Sequence, residues 1–134
     1  MKKKKLFLLA TVFLMGISAV SAASYTYKEI KNLSSGSEKS TTESKLTTEN
    51  YYTLSAERTG GGAATFTAYL IEPNAILGFK DKTLAYGNMN FSDIVYSYSM
   101  KWDSKIGGGN KKLKFIGNTG TISFIPTLIG SSSK

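Results

Sequence analysis

From Tyr51 onward, large apolar residues recur at every second position in runs separated by glycine. That period turns one face of a strand inward and the other outward. Tyr51 to Arg58 and Ala64 to Ile71 flank Thr59-Gly60-Gly61-Gly62-Ala63, a stretch that reads as a hairpin reversal through positive φ. Pairing Arg58 with Ala64 sets Tyr52 opposite Leu70, Leu54 opposite Ala68 and Ala56 opposite Phe66 on one apolar face. The other face then carries Thr53 with Tyr69, Ser55 with Thr67 and Glu57 with Thr65. A slip of one residue would mix the two faces, so their agreement favours this register.

Further along, Ala75-Ile76-Leu77-Gly78-Phe79 and Thr83-Leu84-Ala85-Tyr86 read as short strands about Lys80-Asp81-Lys82. Ile94 to Trp102 alternates, with Ile94, Tyr96, Tyr98, Met100 and Trp102 expected inward and Val95, Ser97, Ser99 and Lys101 outward. After the loop Asp103 to Asn110, Lys111 to Ile116 points Leu113 and Phe115 inward. Gly117-Asn118-Thr119-Gly120 carries a tight-turn signal. It leads into Thr121 to Ile125, whose Ile122 and Phe124 can face Phe115 and Leu113, and Pro126 is expected to end that strand or mark an edge. About six to eight short antiparallel strands with no convincing helix predict an all-β fold, a small β-sandwich or partly open barrel.

The region before Tyr51 has another character. Lys2 to Lys5, the apolar run Leu6 to Val20 and the small residues Ser18-Ala19-Val20-Ser21-Ala22-Ala23 form the three parts of a signal peptide. Residues 1–22 are therefore expected to form a helical leader, cleaved after Ala22 or Ala23. The apolar run is shorter than the roughly 18–20 residues that span a bilayer. Ser24 to Ile30 reads as a short first strand. Residues 31–50 are Ser/Thr-rich with only Leu33 and Leu46 large and apolar, which predicts a polar loop or linker with at most an edge strand near Ser44 to Thr48. Residues 23–134 would form one domain with its antiparallel core over 51–134.

Composition changes this picture by exclusion. The 134 residues contain no His and no Cys, which removes Ser-His-Asp and thiolate nucleophiles, ordinary zinc or haem ligation, and disulfides. No Asp-x-Asp-x-Asp calcium loop occurs, and nothing in the sequence implies a cofactor. The net charge of +8 shrinks to +4 once the leader's four lysines are removed, and Arg58 is the only arginine. Arginine dominates phosphate and guanine readout, so a nucleic-acid partner is not expected. A lysine-rich, cysteine-free exported chain points to a bacterial, extracellular protein.

The candidate contact residues are aromatic and basic. Tyr51 and Tyr69 fall on the outer face of the expected hairpin, near each other. Trp102 ends an aromatic strand beside a glycine-rich loop, the position from which it would reach the surface. Arg58 and the group Lys101, Lys105, Lys111, Lys112 and Lys114 are assigned to an outer basic surface suited to an anionic polymer or, less well, acidic lipid headgroups. Gly60-Gly61-Gly62 and Gly107-Gly108-Gly109-Asn110 lack the Lys-Ser/Thr ending of a phosphate loop. No two of the nine acids are juxtaposed by the expected registers, so no enzyme is expected. The sequence thus predicts a secreted, non-enzymatic binder of an envelope polymer, a host surface or a partner protein. A membrane-active bacteriocin or toxin and an extracellular assembly subunit extended by strand donation from Tyr25 to Ile30 are the alternatives.

Overall fold

The computed structural model describes residues 23–46, 51–73 and 80–132. The expected signal peptide and the short strand expected at 75–79 lie outside them. Eight strands follow in order: β1 (Ala23–Thr26), β2 (Ile30–Ser34), β3 (Glu38–Ser40), β4 (Ser44–Leu46), β5 (Tyr51–Glu72), β6 (Lys82–Phe91), β7 (Ser97–Lys101) and β8 (Gly109–Ser131). All belong to one antiparallel sheet that does not close, so the expected all-β antiparallel class holds, with one open sheet in place of a two-sheet sandwich.

Two long strands carry the architecture. β5 and β8 run antiparallel along almost their whole length, from Tyr51↔Ser131 to Ile71↔Lys112. β1 to β4 line the outer edge of β8, and β6 and β7 line the outer edge of β5. The expected hairpin of Tyr51–Arg58 with Ala64–Ile71 is therefore not formed. Gly60-Gly61-Gly62 lies inside β5, and both flanking segments pair with β8 rather than with each other. The expected turn at Gly117–Gly120 is likewise an interior stretch of β8.

These glycine stretches bend the ribbon. Phe115 and Phe124 both belong to β8, and an extended strand would hold them roughly 30 Å apart. Their ring centroids are 4.9 Å apart. Phe66 closes the fold-over by stacking on Phe124 at 4.6 Å and meeting Phe115 edge-on at 5.7 Å. Offset and edge-to-face rings of this kind add to the burial of apolar area. The bend demands glycine at Gly61, where φ is +81° and a Cβ would collide with the Thr121 carbonyl oxygen. Gly117 serves a different need, since a side chain there would strike the backbone of Ser34, where the N-terminal edge passes close by.

Inward and outward positions follow the alternation closely. Tyr52, Leu54, Ala56, Phe66, Ala68 and Leu70 are buried on β5, and Leu113, Phe115, Ile122, Phe124 and Leu128 on β8. Pro126 does not end its strand but sits within β8 opposite Ala56. Its other side faces the gap between β1 and β2, where Tyr27 donates its N–H to the Pro126 carbonyl at 3.0 Å. The missing N–H of proline is tolerated at such an interruption in the ladder. Of the stretch 31–50, expected as a polar loop, the described part, 31–46, instead contributes to three short strands on β8, with β4 at the expected Ser44 edge. Their broken, bulged course blunts that edge against further pairing.

Candidate functional site

The expected contact residues are dispersed. Tyr51 lies opposite Ser131 and Tyr69 opposite Lys114, at the two ends of β5. Because the hairpin is not formed, these tyrosines do not make a pair. Trp102 is buried rather than surface-reaching, and its indole Nε1–H donates to the Tyr86 carbonyl at 3.2 Å. The stripe that it ends divides. Tyr98 and Met100 pack on the core, while Ile94 and Tyr96 are 86% and 61% exposed because the chain turns at Asp93–Ile94 before β7 begins.

Arg58 is buried and engaged. Its guanidinium donates to the carbonyls of Asp93 at 2.8 Å and Ser92 at 3.3 Å, and lies 4.1 Å from the centroid of the Tyr96 ring. It therefore pins the β6–β7 connection and is not an outer contact. Lys101 is exposed on β7 opposite Thr53. Lys112 is half-buried and ion-paired with Asp81 at 2.8 Å.

One outer-face cluster does assemble, through strand pairing that only the long ribbon creates. Tyr86 on β6 lies opposite Tyr69 on β5, which lies opposite Lys114 on β8. The two rings stack at 5.9 Å between centroids, and Lys114 Nζ sits 4.9 Å from the Tyr69 ring centroid. Tyr86 is 68% exposed. A polar row continues the face, where Thr67 donates to Asn88 at 2.8 Å and accepts from Asn118 at 3.1 Å. In the sequence Tyr86 reads only as part of a short strand, and its pairing with Tyr69 depends on a partner strand that local pattern does not name.

Lys111 departs furthest from expectation. Expected on the outer surface, it is 1% exposed. It shares the inward parity of Leu113 and Phe115, a signal present in the alternation but overridden by its charge. Its ammonium lies 5.9 Å from the Tyr52 ring centroid. Burial pushes it below the ordinary lysine value, against the opposing pull of Glu72. Around it, Tyr52 donates its hydroxyl to the Gly107 carbonyl at 3.4 Å, and the Tyr27 and Ser44 hydroxyls are hydrogen-bonded at 2.5 Å. Burial pushes the Tyr27 and Tyr52 hydroxyls above their usual range.

Lys111 also lines a cavity of about 370 Å³ together with Glu72, Lys82, Thr83, Leu84 and the loop Ser104–Gly108. Lys105, expected in the outer basic group, belongs to this wall. A second cavity of about 340 Å³ adjoins it along β6 and shares Thr83, Leu84 and Ser104. Among the described residues, no three His, Cys, Asp or Glu side chains come together as a metal site.

No family model matches the chain, and no curated protein matches it. Among solved structures, it is similar to a Bacillus endospore appendage protein from a family of disulfide-linked pili. That similarity has 11% identity and a TM-score of 0.38 over 92% of this chain and 100% of the other. It is also similar to the SPBc2 prophage-derived protein YomS, at 9% identity and a TM-score of 0.42 over 87% and 99% of the two chains. A third similarity is to a structure of infectious bursal disease virus strain Gx, at 10% identity and a TM-score of 0.42 over 84% of this chain and 32% of that one. At these TM-scores the likeness carries no argument about function.

Proposed function

We propose that this chain is an exported, non-enzymatic bacterial protein that binds an anionic cell-envelope polymer through the outer face of β5, β6 and β8. The row Tyr86–Tyr69–Lys114 carries this reading. Stacked, partly exposed tyrosines offer stiff amphipathic surface to sugar rings. The adjacent ammonium offers attraction to phosphate or carboxylate groups along the polymer. Export rests on the leader-like residues 1–22 and the cysteine-free composition.

Sedimentation of the mature protein with purified bacterial cell walls tests the reading. The wild type is expected in the pellet, and the Tyr69→Ala, Tyr86→Ala double variant is expected to lose about tenfold in affinity. A wild type that stays in the supernatant with all walls tried defeats the proposal. Dye release from liposomes under the same conditions would point instead to a membrane-active protein.

A second reading, the extracellular assembly subunit, is favoured by one observation. β6 bonds to β5 on one side and to no other strand on its opposite side among the described residues. Such an edge accepts a strand from another chain. β1 pairs with β8 of its own chain, so assembly would proceed through β6 rather than by donating β1. A strictly monomeric species by light scattering across the accessible concentration range would remove this reading.

A further inference from the structure

The cavity around Lys111 is lined by more cations than anions. Three lysines, Lys82, Lys105 and Lys111, line it against the one carboxylate of Glu72. Lys111 is the buried member, at 1% exposure. Among the described residues its ammonium makes no ion pair and no hydrogen bond; it lies beside Gly109 and 5.9 Å from the centroid of the Tyr52 ring. An ammonium carries three donors and no acceptor, and burying it unpaired is expensive. Buried charge persists where a counter-charge completes it. Glu72 acts on Lys111 from the same wall but forms no ion pair with it.

The remaining wall suits an oxyanion. Ser104 brings a hydroxyl, and Gly107 and Gly108 bring backbone without side chains. At Gly107 the space where a Cβ would stand is open. A surplus of two positive charges excludes a metal cation as the natural occupant. The unpaired ammonium likewise argues against an apolar one.

We propose that this cavity is a phosphate-binding site in which Lys111 is the buried anchor and Lys82 and Lys105 are the outer clamps. Lys111 and phosphate oxygens form charge-assisted hydrogen bonds that replace the missing protein partner. The second cavity along β6 continues from the first past Leu84 to Trp102 and Tyr86, which leaves room for an organic group attached to the phosphate. The first cavity contains no residue of the Tyr86–Tyr69–Lys114 row, and only its extension reaches Tyr86, so phosphate binding at Lys111 and polymer binding on the outer face can each fail alone.

The test is an NMR titration of the mature protein with inorganic phosphate near neutral pH, with chloride exchanged to hold ionic strength constant. A parallel arm uses glycerol 3-phosphate and separates free phosphate from a phosphate ester. Saturable shifts are expected at Lys111 Nζ and at the amides of Ser104, Gly107 and Gly108 in at least one arm. Lys111→Met should weaken the binding by about tenfold or more, while Lys101→Met on β7 should leave it within about twofold. In the wild type alone, the bound anion should also protect the exposed clamps Lys82 and Lys105 from reductive methylation, a readout independent of how the variant folds. Shifts that grow linearly without saturation, affinity unchanged in Lys111→Met, or equal methylation with and without the anion would each overturn the proposal.

Discussion

Among the described residues two cations are buried, and their surroundings are opposite. Near the bend, Arg58 is held by the carbonyls of Ser92 and Asp93 and by the face of Tyr96. Near the end where β5 meets the start of β8, Lys111 is more deeply buried and, among the described residues, has no hydrogen bond or ion pair, with the Tyr52 ring 5.9 Å away and the opposing pull of Glu72. A planar guanidinium with fixed forked donors suits backbone carbonyls on a connection between strands. A compact ammonium beside a cavity is left with its donors unmet. A buried charge with its partners in place explains structure, whereas one without them points to a ligand.

The largest effect should come from removing the satisfied cation. Arg58→Met strands two carbonyls and loses the ring contact, so it is expected to cost about 2 kcal/mol in chemical denaturation. The β6–β7 connection should then lose protection in amide hydrogen exchange. A variant as stable as the wild type would erase the distinction between the two sites.

Lys111→Met should act in the opposite direction. Replacing an unpaired buried ammonium with an apolar chain of similar length is expected to stabilise by about 1 kcal/mol near neutral pH, measured without phosphate. The pH dependence follows from the direction of the shift. Burial lowers the folded-state value of Lys111 below 10.5, so between that lowered value and 10.5 the unfolded chain binds more protons. The Lys111 contribution to stability therefore rises with pH across this window, and its penalty is complete below it. Lys111 shares its cavity wall with Glu72, Lys82 and Lys105 and lies beside Tyr52, and Tyr52 and nearby Tyr27 titrate in the same alkaline range. Burial raises both tyrosines above 10.0, so the folded state holds more protons there and stability falls as pH rises past 10.0. Lys111→Met should abolish the rise and retain the fall. An unchanged rise in the variant would assign it to another group.

The smallest effect is expected from a lysine of the same strand that is neither buried nor unpaired. Lys112 pairs with Asp81 across side chains that are 27% and 39% exposed. Lys112→Ala should change the denaturation midpoint by less than about 0.5 kcal/mol, and less still in high salt. A larger loss would mean that place along β8, rather than partner satisfaction, sets the energetics of these lysines.

The alternation along β5 and β8 determined which residues are inside. Every position of the Tyr52–Leu54–Ala56 and Phe66–Ala68–Leu70 sets is buried, because side-chain direction in a strand is fixed by local geometry. The same local rule contained the burial of Lys111, two positions before Leu113. The all-β class and the absence of histidine and cysteine chemistry were likewise settled by the residues alone. Partner choice was not. A strand that bends through Gly60–Gly62 and a hairpin that turns there share one alternation, and the choice depends on β8, which lies far along the chain. Tertiary structure therefore decided that Phe115 meets Phe124 across a fold-over rather than a turn, that Tyr69 meets Tyr86, and that Arg58 is clamped. Strand pairing over long sequence separation is set by mutual burial and loop closure. Local periodicity is blind to both, and so the sites of this protein came into view only when the ribbon was folded.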